Sequence, residues 1–137
     1  MGLALVAVPF GCGYSFKRES DIVELSYSAS GLRVVIVTNR TDTEGTCFVE
    51  YLFKRPRGFR VLDEGDLIRY WESGAFRADR HLYEVTSGGW KAQEIEIAGM
   101  LSVTDDVGGY REWFIATTNR CANVLSVREP EIREWDC

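Results

Sequence analysis

The sequence predicts an α+β fold: an antiparallel β-sheet of about seven strands with one main helix packed against it. Two patterns carry this. Short runs rich in β-branched and aromatic residues recur between turn-forming residues, and a single segment, Asp63 to Gly74, has helical caps and helical apolar spacing. A chain of 137 residues with 45% hydrophobic and 27% charged residues also has the make-up of one folded domain. That domain is read as residues 1–137, with 1–15 either a leader or a first strand. At this size folding removes roughly two-thirds of the unfolded chain's surface from water, so a core can form without metal clusters or dense disulfides.

Ile22 to Tyr27 reads as a strand, and Ser30-Gly31 turns it into the β-branched run Leu32 to Thr38 as a hairpin. Asn39 to Gly45 has loop chemistry, and Cys47 to Phe53 alternates as a third strand. Pro56-Arg57-Gly58 then turns into a short strand, Phe59 to Leu62. In the helix, Asp63 is a good N-cap, Glu64 and Asp66 place negative charge in the first turn, and Gly74 closes the end. Leu67, Tyr70 and Trp71 form its apolar face, with Ile68 beside it. Leu82 to Thr86 returns to strand and Ser87-Gly88-Gly89 makes a turn. Trp90 to Ile97 mixes helical propensity at Lys91-Ala92-Gln93-Glu94 with strand alternation at Ile95-Glu96-Ile97, and a bent strand is the expectation. Met100 to Thr104 reads as strand, Asp105 to Gly109 as loop, and Glu112 to Thr118 and Cys121 to Val127 as further strands. Glu131 to Cys137 reads as a polar tail carrying Trp135.

Sixteen basic residues against twenty-one acidic ones leave a net charge of −5. Such a surface repels phosphate, so nucleic-acid binding is disfavoured and basic partners are attracted. The run Lys54-Arg55-Pro56-Arg57-Gly58-Phe59-Arg60 mixes cations with aromatics as single-strand binders do, but three acids follow it and a solvated turn or protein contact is the expected role. Thirteen of the sixteen basic residues are Arg, which predicts guanidinium groups lying against carboxylates and rings.

The catalytic inventory is thin. His81 is the only histidine, so no site with two His ligands exists, and its setting suggests a locally bonded or solvated ring. The Gly pairs lack the context of a phosphate loop, and the acids Asp63 to Asp66 do not match a calcium loop. No catalytic residue, metal site or cofactor is therefore expected. The four cysteines contain no C-x-x-C spacing, and Cys47, Cys121 and Cys137 are read as buried free thiols. The apolar segment before Gly11-Cys12 resembles a bacterial lipoprotein cleavage site, but it is short, no Lys or Arg precedes it, and Pro9-Phe10 interrupts it. The expected location is the cytoplasm, with a periplasmic or lipid-anchored alternative if Cys12 follows a signal peptide. No run of eighteen or more apolar residues is present to span a membrane as a helix.

The stretch Arg57 to Trp71, together with Glu112-Trp113-Phe114-Ile115 and Cys121 to Ser126 before Pro130, resembles small bacterial proteins encoded near secreted or contact-delivered toxins. Those are similar to immunity proteins of polymorphic-toxin systems. The resemblance implies a non-catalytic domain that neutralises a cognate toxin by occluding its active site, and it carries no catalytic residues across. A basic toxin such as a nuclease would suit this acidic chain, because charge speeds encounter and buried aromatic anchors slow release. The expected contact residues are Asp63, Glu64, Asp66 and Glu72 around the helix, Asp105 and Asp106 in the loop, and Trp90 as an anchor. The competing reading is a small-molecule-binding or enzymatic β-rich domain with an aromatic-lined pocket.

Overall fold

The computed structural model describes residues 4–11, 19–39, 45–76 and 80–136. In chain order the elements are β1 (Val6–Pro9), β2 (Asp21–Ser28), β3 (Gly31–Thr38), β4 (Cys47–Phe53), β5 (Gly58–Asp63), a 3₁₀ turn (Glu64–Asp66) and α1 (Ile68–Glu72). They continue with β6 (Leu82–Ser87), α2 (Trp90–Ile95), α3 (Ser102–Val107), β7 (Arg111–Ile115), β8 (Arg120–Ser126) and β9 (Glu131–Trp135). The α+β class holds, but the strands form two antiparallel sheets, ordered β1-β6-β7-β8-β5 and β2-β3-β4-β9. Among the described residues there are thus nine strands and three short helices, not about seven strands and one main helix.

Strand alternation builds three layers. On the four-stranded sheet, Leu32, Val34 and Ile36 of β3 and Val49, Tyr51 and Phe53 of β4 point inward. They meet Leu82, Trp113, Ile115, Ala122 and Val124 of the five-stranded sheet and form a sandwich core. The opposite side of the five-stranded sheet presents Tyr83, Val85, Phe114 and Cys121, which Leu67 and Tyr70 cover. The central strands β7 and β8 are therefore buried on both faces, the polar Glu112 and Asn123 included.

The first hairpin forms as expected, and Gly31 is required there. Its φ is +120°, and a Cβ would come within 2.4 Å of the Phe53 carbonyl oxygen. The main helix is shorter than Asp63 to Gly74. Asp63 does cap, its Oδ1 accepting from Gly65 N at 2.8 Å, but the turn it starts is 3₁₀ and the chain re-enters helix only at Ile68.

Three further expectations are corrected. Trp90 to Ile97 is not a bent strand, since α2 occupies its first six residues. Met100 to Thr104 is not a strand either: Ser102–Val107 is helical, so Asp105 and Asp106 lie in α3 and not in a loop. Of the expected polar tail, Glu131 to Cys137, residues Glu131–Trp135 form β9, which pairs with β4 from Phe48↔Trp135 to Leu52↔Glu131. As an edge strand it buries Ile132 against the core and carries charge outward, where Lys54 pairs with Glu131 and Arg133 with Glu50. The N-terminal segment contributes β1, paired with β6, while Cys12 lies outside the described residues.

Candidate functional site

The interior titratable groups are held by the fold. His81 is buried between the sheets: Nδ1 donates to the Ala116 carbonyl at 2.8 Å, which leaves Nε2 to accept from Thr38 Oγ1 at 3.0 Å. Burial holds this ring below the ordinary histidine range, so it is neutral. Cys121 sits under α1 as a free thiol pushed up to about 12 by burial, and it exchanges hydrogen bonds with the Thr117 backbone at 3.4 Å. Cys47, expected as a free thiol, is instead disulfide-bonded. Sequence spacing could not show this, because strand pairing sets which cysteines can reach one another. Cys137 lies outside the described residues.

A polar network lies beneath α2. Glu112, only 2% exposed, projects from β7 toward the helix-covered face of the sheet. Its Oε2 accepts from Tyr70 Oη at 2.6 Å and from Asn123 Nδ2 at 3.0 Å, and its Oε1 accepts from the Lys91 backbone N–H at 2.9 Å. Tyr70 Oη also accepts from the Trp90 N–H at 2.7 Å. A strand carboxylate and a helix hydroxyl thus cap α2, whose N-cap residue, Gly89, has no side chain to do so. Gly89 also makes room for them: a Cβ there would lie 2.6 Å from Glu112 Oε1 and 2.6 Å from Val85 Cγ1. Burial, reinforced by the Glu112 charge, pushes the Tyr70 hydroxyl far above its usual range, so it stays protonated and donates.

Beside this network a cleft of about 310 Å³ opens between α2 and the β6–β7 end, lined in part by Glu84, Lys91, Ile95, Tyr110 and Arg111. Its charges are spent on one another and on the backbone. Arg111 donates twice to Glu84, Nε and Nη2 each at 2.9 Å, and stacks over Trp113, while Lys91 Nζ donates to the Tyr110 carbonyl at 2.7 Å. Tyr110 is the single aromatic in the lining, so this is not the aromatic-lined pocket of the competing reading. No group of three or more potential metal-ligating side chains occurs among the described residues.

Three of the four cations of the basic segment, Lys54, Arg57 and Arg60, make contacts within the fold. Lys54 pairs with Glu131, Arg57 donates to Thr104 Oγ1 at 3.2 Å and lies over Tyr110, and Arg60 donates to Asn123 Oδ1 at 2.9 Å while stacking on Trp90. The expectation that Arg would lie against acids and rings describes these contacts, as well as Arg33 with Glu24 and Glu50 and Arg120 with Asp21.

The expected contact residues fall into two groups. Asp63, Glu64 and Asp66 are exposed around the 3₁₀ turn, with Glu72 exposed at the end of α1. Asp105 and Asp106 are exposed on α3, which Arg57 tethers through Thr104 at the opposite end of β5, roughly 20 Å away by strand rise. Trp90 is half-buried, with Nε1 donating to Glu94 Oε1 at 3.3 Å.

What sequence reasoning missed lies between α2 and the end of α3. Eleven large hydrophobic side chains stand exposed among the described residues, and four of them fall within residues 97–107: Ile97 (55%), Met100 (44%), Val103 (60%) and Val107 (64%). Glu96, Asp105 and Asp106 stand exposed among them, and their carboxylates make no hydrogen bond or ion pair with the described residues. The available signal was the i, i+4 spacing of Val103 and Val107, which the β-branched Val103-Thr104 pair disguised as a strand. Compared with known protein families, curated proteins and solved structures, the chain matches none.

Proposed function

We propose that this protein is a non-catalytic protein-binding domain of the immunity type, which neutralises a toxin by covering its active site. The observation that carries the reading is the commitment of the interior reactive groups. His81, Tyr70 and Glu112 spend their hydrogen bonds on holding layers together, Cys121 spends its own on the β7–β8 turn, and burial keeps His81 neutral and the Cys121 thiol and Tyr70 hydroxyl protonated. A body of this kind acts through its surface. That surface carries a net charge of −5 with unpaired carboxylates, and charge of this sign speeds encounter with a basic protein.

The disulfide at Cys47 favours the extracytoplasmic alternative over the cytoplasm, because such bonds persist in oxidising compartments. No helix among the described residues is long and apolar enough to cross a membrane. The pocket reading keeps one observation, the cleft beside Lys91 and Arg111, whose volume stands at the low end for ligand sites. Co-expression with the polypeptide encoded by the adjacent gene tests the main reading. Rescue of growth together with co-purification is expected, and failure of both overturns it.

A further inference from the structure

We infer that residues 96–107, the turn after α2 together with α3, form the docking surface, and that their partner is a basic protein presenting apolar side chains between lysines or arginines. This rests on the inhibitor reading and gives it a place and a chemistry. Val103 and Val107 are one helical turn apart and share a face of α3, while Thr104 points inward and is held by Arg57. Ile97 and Met100 extend the exposed apolar surface through the preceding turn. Such a concentration is costly to leave in water, and around an interface core it supplies the part that excludes solvent.

The charge around it selects the partner. Glu96, Asp105 and Asp106 have carboxylates with no partner among the described residues. Arg57 is held by Thr104 and Tyr110 and Lys91 by the Tyr110 carbonyl, and neither pairs with these acids. A second copy of this chain would bring the same acids face to face, so like-charge repulsion argues against self-association through this surface. A basic partner satisfies both features at once. The acidic group at Asp63, Glu64, Asp66 and Glu72 differs in having two exposed apolar residues near it in sequence, Val61 and Ile68, against four within residues 97–107.

The test measures binding of the full chain to the adjacent-gene polypeptide by calorimetry at low and high salt, alongside light scattering of the chain alone. V103E/V107E and D105K/D106K should each weaken binding at least tenfold, added salt should weaken the wild type, and E64K/D66K should change affinity less than threefold. V103T/V107T serves as a milder pair should the glutamates disturb folding, and a smaller loss is expected. Tight binding that ignores both α3 variants overturns the surface and leaves the inhibitor reading intact. Concentration-dependent dimers abolished by V103E/V107E overturn it in favour of a second copy. A monomer that neither binds nor rescues growth overturns the inhibitor reading and the surface with it.

Discussion

Glu112 and Asp106 are both carboxylates in the layer that includes the five-stranded sheet and its helices, yet their surroundings are opposite. Glu112 has lost its water and gained three protein donors from α1, α2 and β8. Asp106 is exposed and unpaired, with exposed Val103 and Val107 as its neighbours on α3. Beneath α2, Glu112, Tyr70 and Asn123 are buried and hydrogen-bonded, with Glu94 Oε2 of α2 the buried oxygen left without a partner among the described residues; on α3, apolar groups are exposed. The first arrangement holds a helix in place, and the second is the surface proposed to dock a partner.

The largest effect should come from breaking the buried side. Glu112→Ala strands the Lys91 N–H, Tyr70 hydroxyl and Asn123 amide, so a loss of about 3–5 kcal/mol is expected in chemical denaturation. A loss below about 1 kcal/mol would mean water reaches the network and the contrast with α3 is weaker than drawn. Reduction comes next. Breaking the bond at Cys47 should lower stability by about 2–4 kcal/mol, and thiol alkylation of the denatured chain before and after reduction checks that the bond is present.

His81 sharpens the comparison through pH. Its folded-state pKa lies below the ordinary 6.5, so the unfolded chain takes up a proton first as pH falls. The contribution of the neutral ring is complete above that value and declines below it, by at most about 1.4 kcal/mol per pH unit. Denaturation midpoints of wild type and His81→Gln between pH 7.5 and 5 should show this slope in the wild type and a flatter one in the variant. The smallest stability effect belongs to the exposed side: V103E/V107E should change unfolding free energy by no more than about 0.5 kcal/mol, because no buried contact is lost.

Legibility in the sequence followed how local the deciding interaction is. The β2–β3 hairpin, β4, β5 and the Asp63 cap rest on alternation and turn chemistry within a few residues, and all were readable. The arginine contacts were readable as a class, since guanidinium chemistry prefers acids and rings wherever it lands. Helix α2 was not, because its cap is supplied by Glu112 and Tyr70, each about twenty residues away in sequence. Helix α3 starts from Leu101 in the left-handed region at φ 54°, with no side-chain cap, and its β-branched residues argue for a strand. Strand β9 looked like a tail because an edge strand shows its charges to water and only Ile132 to the core. Within the candidate surface, Asp105 and Asp106 were named from charge, whereas their apolar neighbours needed the helix to be seen as a stripe.

The proposed function requires the exposed side of the protein, and not the buried network or the cleft, to meet the partner. Hydrogen exchange on the wild-type chain, free and mixed with the adjacent-gene polypeptide, tests this most directly. Slowed exchange concentrated in residues 96–107 is the predicted result. Protection confined to the cleft around Ser87, Lys91 and Arg111, with 96–107 exchanging as in the free chain, would contradict it.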